Sequence, residues 1–135
     1  MKNQHTATLA GYEIPRLGMG TMALAIEGRP TNRNQAIETI HAALDAGVRY
    51  LDTAWSYYLP SKPGTGEPED MGYGEYLVRD ALNSWHGPKD EVLVATKTGW
   101  LRTLDNHGNY SWQADARPET MIANAKESAR RLGVE

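Results

Sequence analysis

Residues 17–30 read LGMGTMALAIEGRP, and this stretch decides between two folds. Gly18, Gly20 and Ala23 satisfy the loose pattern G-x-G-x-x-A, which marks the dinucleotide-binding turn of a doubly wound sheet. Such a turn must open directly into a helix, whereas here a glycine and a proline follow within seven residues of Ala23. We therefore prefer a (β/α)8 barrel, in which the residues with chemical roles lie at the C-terminal ends of the strands.

Strands and helices alternate along the rest of the chain, as is typical of a parallel sheet. A hairpin is predicted at residues 6–14, followed by strands at residues 17–21, 48–54 and 91–96. The third of these strands is continuously apolar, which predicts cover on both faces. Three helices are predicted to begin near residues 32, 75 and 118, and the last repeats apolar residues at Ile122, Ala125, Ala129 and Leu132. This pattern corresponds to a hairpin and the first three strand–helix units of a barrel.

The composition, 40% hydrophobic and 23% charged, predicts a soluble globular chain. A net charge of -3 and scattered lysines and arginines argue against a nucleic-acid partner. The chain has no cysteine and its four histidines are dispersed, so we expect no metal site. Because the N-terminus is polar and no apolar segment could span a bilayer, we expect a cytoplasmic protein with no membrane partner.

Two charged residues end apolar strands at the rim where a barrel carries its chemistry. Asp52 closes the second strand and Lys97 closes the third. A carboxylate and an ammonium are each costly to desolvate alone, so we expect them to face each other within about 4 Å. Such a pair could simply join two strands. Tyr57, five residues after Asp52, favours a catalytic role, because a nearby ammonium favours the phenolate and makes the phenol a better proton donor.

The sequence Asp52 to Tyr57, DTAWSY, resembles the D-T-A-x-x-Y motif of the aldo-keto reductases. Further stretches resemble the same family in the same order, namely GMGT at residues 18–21, ALDAG at 43–47, GE at 74–75, VATK at 94–97 and the helix end at 128–134. The resemblance runs from about Thr8 to the last residue. It implies that residues 1–135 are the N-terminal portion of a single aldo-keto reductase barrel domain, which stops before the fourth barrel strand.

The resemblance implies an NADPH-dependent oxidoreductase that reduces the carbonyl of a small aldehyde or ketone to an alcohol. A nicotinamide would deliver hydride to the carbonyl carbon, and Tyr57 would give a proton to the oxygen. Lys97 would assist the tyrosine, and Asp52 would hold the lysine. NADH stays open as the cofactor, and the sequence does not indicate an oligomeric state.

Further site candidates follow from the same resemblance. Gly20, Thr21 and Met22, together with Asp52, would lie near the cofactor, since glycine permits close backbone approach. Two tryptophans are candidates for the wall of the substrate pocket, because aromatic surfaces pack against apolar substrates: Trp55 and Trp100. For each tryptophan alone, a core or loop-anchoring role is an open alternative.

Two departures from the family pattern affect the functional expectation. Residues 58–73 form an insertion rich in proline and glycine, with Glu67, Glu69 and Asp70, which could reshape the substrate mouth or be a solvated loop. The family's catalytic histidine is expected on the strand after Glu135, so the 135 residues alone are expected to be inactive. The alternative is a noncatalytic binding or assembly module, either a half-barrel that needs a complementary chain or a channel-associated subunit.

Overall fold

The structure is a computed structural model that describes residues 5–25, 32–58 and 70–134. It begins with an antiparallel hairpin of β1 (Thr6–Leu9) and β2 (Tyr12–Pro15). The two turn residues between them, Ala10 and Gly11, both have positive φ angles, 49° and 83°. Positive φ angles at both positions are typical of a two-residue hairpin turn, whose twist matches that of the flanking strands.

Three parallel strands form the sheet that carries the site. They are β3 (Met19–Gly20), β4 (Tyr50–Asp52) and β5 (Leu93–Ala95), hydrogen-bonded in that order. The register pairs Gly20 with Asp52, and Asp52 with Ala95. The C-terminal ends of all three strands therefore meet at one rim.

Three helices of the described segments accompany the parallel strands, and the first two of them connect one strand to the next. They are α1 (Arg33–Asp45), α2 (Tyr73–Ser84) and α3 (Pro118–Leu132). The side chain of Asn32 caps α1 by accepting a hydrogen bond from the backbone N–H of Gln35, as expected for one of the two predicted caps. The core lies between α1, α2 and the sheet, and its fully buried side chains include Ile40, Leu44, Leu51, Leu77 and Val78.

The third parallel strand differs from the sequence prediction. Residues 93–95 are only partly buried, whereas the apolar run predicted cover on both faces. The opposite face of the described sheet borders an open groove of about 510 Å³, lined in part by Gly18, Gly20, Tyr50 and Asp52. The groove shows that the first two strands of the sheet have an open face.

A second antiparallel hairpin was not predicted. It consists of β6 (Trp100–Leu104) and β7 (Tyr110–Ala114) and follows β5 directly. Asp105 accepts backbone hydrogen bonds from His107 and Asn109 across the turn, and Gly108 has a φ of 79°. The 59–69 part of the predicted insertion, with Glu67 and Glu69, lies outside the described residues.

The buried face of α3 also differs from the prediction. The helix buries Asn124, Ser128 and Arg131, whereas Ile122 is 57% exposed and Ala125 is exposed too. The physical reason is an ion pair, because Arg131 turns inward to meet a buried carboxylate on α2. The apolar spacing located the helix correctly, and Leu132 packs against the core as predicted, but Ile122 and Ala125 do not.

Candidate functional site

Strand pairing continues past the ends of the parallel strands and brings the site residues to one rim. The backbone N–H of Thr53 donates to the carbonyl of Ala95 at 2.9 Å, and that of Trp55 donates to the carbonyl of Lys97 at 2.9 Å. The segment after Asp52 therefore runs beside the segment that carries Lys97. This pairing follows from the parallel register and needs no side chain to create it.

The ammonium of Lys97 contacts three oxygens at this rim. Its Nζ lies 2.6 Å from Oδ2 of Asp52, 2.7 Å from the carbonyl oxygen of Thr53 and 3.3 Å from the hydroxyl of Tyr57. The predicted contact between Asp52 and Lys97 is therefore present. Partial burial lowers the pKa of Lys97, but the hydrogen bonds to Asp52 and Tyr57 outweigh it and raise this pKa above its ordinary value.

Tyr57 is held by its backbone as well as by Lys97. The N–H groups of Gly72 and Gly74 both donate to the carbonyl oxygen of Tyr57, each at 3.2 Å. A Cβ atom at Gly74 would lie 2.7 Å from the Cβ of Tyr57, so only glycine permits this approach. The start of α2 thus fixes the tyrosine over the rim.

The two other phenols near the insertion have different surroundings. Tyr58 is buried, and its ring lies 5.8 Å from that of Trp112, measured between centroids. Tyr73 begins α2, with the guanidinium of Arg33 5.9 Å from its ring centroid. Of these three tyrosines, Tyr57 is the candidate proton donor that the geometry favours, because its hydroxyl is hydrogen-bonded to Lys97.

The residues predicted to lie near a cofactor occupy the same rim. Gly20 is exposed, and a Cβ atom there would meet nothing within 4 Å, so the space over its backbone is open. Met22 is exposed beside it. Thr21 is buried instead, and both its N–H and its hydroxyl donate to the carbonyl oxygen of Asp52. The rim is therefore open at Gly20, and Thr21 joins β3 to β4.

An aromatic cleft of about 340 Å³ lies beside Tyr57. It is lined by Ser56, Tyr57, Trp100 and Trp112. Of the two tryptophans predicted for a substrate pocket, Trp100 lines this cleft. Trp55 is not among its lining residues, and the guanidinium of Arg131 lies 4.9 Å from the centroid of its ring.

Trp112, which the sequence analysis did not single out, also lines the cleft. The β6–β7 register pairs Trp100 with Ala114 and Arg102 with Trp112, which places both tryptophans on the same face of the hairpin. The signal that could have found Trp112 is the turn sequence DNHG at residues 105–108, with a tryptophan in each flanking strand.

His41 lies between two helices. His41 contacts the carbonyl of Ala81 at 2.8 Å, and the hydroxyl of Ser84 lies 3.2 Å from the same ring nitrogen, so His41 links α1 to α2. Within residues 5–25, 32–58 and 70–134, no three histidine or carboxylate side chains gather as metal ligands. The helices of these segments are also too short or too polar to cross a bilayer.

Comparison with known proteins gives consistent matches. The model of the aldo/keto reductase family matches residues 16–135. The aldo-keto reductase YhdN of Bacillus subtilis (strain 168) is 37% identical over 123 residues, which cover 90% of this chain and 32% of that protein. The D-threo-aldose 1-dehydrogenase of a Pseudomonas species is 31% identical, over 96% of this chain and 40% of its own length.

Solved structures agree with the fold. The glycerol dehydrogenase AKR11B4 from Gluconobacter oxydans superposes with a TM-score of 0.75 at 28% identity, over 99% of this chain and 37% of that one. The neighbours are (β/α)8 barrels, so the predicted fold class is confirmed, and the three parallel strands form part of such a barrel. The chain spans between about a third and two fifths of the length of these relatives.

Proposed function

Because the chain belongs to the aldo/keto reductase family, we propose that it supplies the proton-donating part of a nicotinamide-dependent carbonyl reductase. One observation carries the proposal: Lys97 hydrogen-bonds to Asp52 and to the hydroxyl of Tyr57 at once, at the C-terminal rim of a parallel sheet. This is the rim at which barrel enzymes place their chemistry. An aromatic cleft opens beside the same hydroxyl.

The proposed reaction converts a small aldehyde or ketone to an alcohol. The nicotinamide, when bound, supplies a hydride to the carbonyl carbon. Tyr57 donates its phenolic proton to the carbonyl oxygen, so that the C=O double bond becomes a C–O single bond and the tyrosine becomes a phenolate. Lys97 stabilises that phenolate by its charge, and Asp52 holds the ammonium in place.

For the cofactor we propose NADPH, bound with its nicotinamide ring near Gly20 and Asp52. Gly20 leaves the space above its backbone open at the rim. Met22 is exposed at the rim of the same strand and would contact the ring or the substrate. Thr21 would support the site indirectly, through its two hydrogen bonds to Asp52.

For the substrate we propose an apolar carbonyl compound that enters the cleft between Trp100 and Trp112. Both tryptophan side chains are exposed enough to meet it. Their rings and that of Tyr57 present apolar surface, and burial of such surface drives the binding of small apolar ligands. The carbonyl oxygen would then point at the Tyr57 hydroxyl.

The test is the oxidation of NADPH by the family-length protein that contains these residues. We expect the absorbance of NADPH to fall only when an aromatic aldehyde is present. Turnover should be slower when NADH replaces NADPH. Saturable binding of NADPH without turnover of any aldehyde or ketone would contradict the proposal. That result would favour the alternative, a noncatalytic binding or assembly module.

A further inference from the structure

An ion pair that the proposed chemistry does not use lies under the site. Glu75, in the first turn of α2, and Arg131, in the last turn of α3, are 3.1 Å apart, with side chains 0% and 7% exposed. Desolvating two charges is costly, and an apolar pair of similar volume would often hold two helices together as well. The pair therefore calls for an explanation beyond helix packing.

The contacts of this pair reach both segments that carry the proton donor and its lysine. Oε1 of Glu75 accepts a 2.6 Å hydrogen bond from the hydroxyl of Thr96, the residue before Lys97. Arg131 donates to the carbonyl oxygen of Trp55 at 3.1 Å, two residues before Tyr57. One ion pair thus ties the end of β5 to the loop that follows β4.

A glycine couples the same pair to Tyr57 from a second side. Gly72 has a φ of 94°, and a Cβ atom there would lie 2.5 Å from the guanidinium carbon of Arg131. Gly72 also donates its N–H to the carbonyl of Tyr57. The space that Arg131 needs and the hydrogen bond that holds Tyr57 therefore come from one residue.

We propose that Glu75 and Arg131 are positioning residues for the proton transfer, which fix the Tyr57 hydroxyl against the Lys97 ammonium without touching substrate or cofactor. The inference rests on the proposed function. Its physical basis is that a displacement of about 1 Å in a reacting group can lower the rate about 10²-fold. The contact between Lys97 and the Tyr57 hydroxyl is exposed and spans 3.3 Å, so it constrains the two side chains only weakly by itself.

The decisive variant removes both charges together. Arg131→Met alone would leave the Glu75 carboxylate buried and unpaired, which destabilises the fold for reasons unrelated to the site. The double variant Glu75→Leu with Arg131→Met replaces the pair with apolar side chains, and Thr96, an exposed residue, can turn its hydroxyl to water. In the family-length protein we expect the double variant to fold and to lose at least about 10-fold in kcat with little change in KM.

The matched control is Arg130→Met. Arg130 is the neighbouring arginine on α3, but it is exposed and binds Glu127 and the hydroxyl of Tyr76 on the outer surface. This variant removes the same charge from the same helical turn. We expect it to keep the kcat of the unsubstituted protein.

A second readout reports the geometry directly. Hydrogen bonds to Asp52 and Tyr57 raise the pKa of Lys97 against the opposing effect of its partial burial. We expect the titration midpoint of Lys97, followed by NMR of ε-¹³C-labelled lysine, to fall in the double variant. Tyr57→Phe provides the reference for complete loss of the phenol contact, and Arg130→Met should leave the midpoint unchanged.

Unchanged kcat and an unchanged Lys97 midpoint in the folded double variant would overturn the inference. Should that variant not fold, Arg131→Lys replaces it, because a lysine keeps the charge opposite Glu75 but ends one bond short of the Nη1 nitrogen, which donates to both Glu75 and the carbonyl of Trp55. The same two criteria then apply. The titration needs neither cofactor nor substrate, so this inference and the proposed function fail on different measurements.

Discussion

Lys97 uses its three N–H donors on three different oxygens, and this determines what kind of contribution it can make. The acceptors are Asp52, the carbonyl of Thr53 and the Tyr57 hydroxyl. The side chains of Lys97 and Asp52 are 50% and 33% exposed, so water screens their attraction. Exposed ion pairs contribute little to stability. We therefore expect this arrangement to orient the Lys97 ammonium toward the phenol of Tyr57 more than to stabilise the contact between two strands.

Replacing Tyr57 with phenylalanine tests the residue that this ammonium faces. The substitution removes one hydroxyl and leaves the ring, so the packing against Gly74 should survive. We expect kcat of the family-length protein to fall about 10²- to 10⁴-fold, the usual contribution of a positioned proton donor, with NADPH affinity largely unchanged. Steady-state kinetics and a fluorescence titration with NADPH measure the two quantities.

Tyr58→Phe is the control, because Tyr58 is buried against Trp112 and lies outside the proposed proton path. We expect it to cost little activity. If Tyr58→Phe or Tyr73→Phe abolished reduction while Tyr57→Phe turned over normally, Tyr57 would not be the donor. The insertion would then have moved the site.

At the scale of elements, the parallel strands were predictable and the reason is physical. A largely apolar run that ends in a charged residue marks where a buried strand reaches its rim, and the runs before Asp52 and Lys97 end in this way, although Arg49 interrupts the first. Parallel strands share a direction, so their charged ends must meet. The predicted strands were longer than the observed ones, although backbone hydrogen bonds continue past the ends of the observed strands, as from Thr53 to Ala95.

The β6–β7 hairpin and the inner face of α3 could not be predicted from the apolar pattern. One face of the hairpin carries Trp100, Arg102 and Trp112, so apolar and polar residues do not alternate between its faces. Arg102 instead packs over the Trp112 ring, 4.9 Å from its centroid. On α3, Arg131 is buried because it pairs with Glu75 on α2. The spacing of residues along α3 alone cannot predict a partner on another helix.

The start of α3 provides a test at the same scale. Asp115 accepts hydrogen bonds from the side chain and backbone N–H of Arg117 and from the hydroxyl of Thr120. These contacts lower the pKa of Asp115 below its ordinary value of 3.8. A depressed carboxyl pKa stabilises the fold fully above that ordinary value, and the contribution is lost as the pH falls below it toward the folded-state pKa.

We therefore expect Asp115→Ala to lower the urea midpoint of unfolding at neutral pH, and the difference from the unsubstituted protein to shrink as the pH falls below 3.8. Glu119→Ala is the control, since Glu119 is exposed and its ion pair with Arg117 spans 3.8 Å. A difference for Asp115→Ala that stayed constant down to the lowest pH measured would refute the contribution of its charge.

At the scale of the whole molecule, the described sheet has two sides with different properties. Helices cover one side, and the other side opens on the groove beside Gly20, Tyr50 and Asp52. A complete barrel has eight strands and fills its interior with side chains. The relatives align to this chain over about a third to two fifths of their length, which leaves most of their barrel outside the alignment.

The openness of the groove leads to the expectation that the 135 residues, prepared alone, do not bind NADPH in the low micromolar range. A ligand gains affinity when most of its surface is buried, and the three parallel strands of the described segments offer one wall and the rim at Gly20. A fluorescence titration of the isolated chain with NADPH, beside the family-length protein as the positive control, measures this. Weak, non-saturating binding by the chain and saturable binding by the longer protein are expected. Saturable low-micromolar binding by the chain alone would mean that the rim at Gly20, Met22 and Asp52 forms a sufficient cofactor site without the other strands.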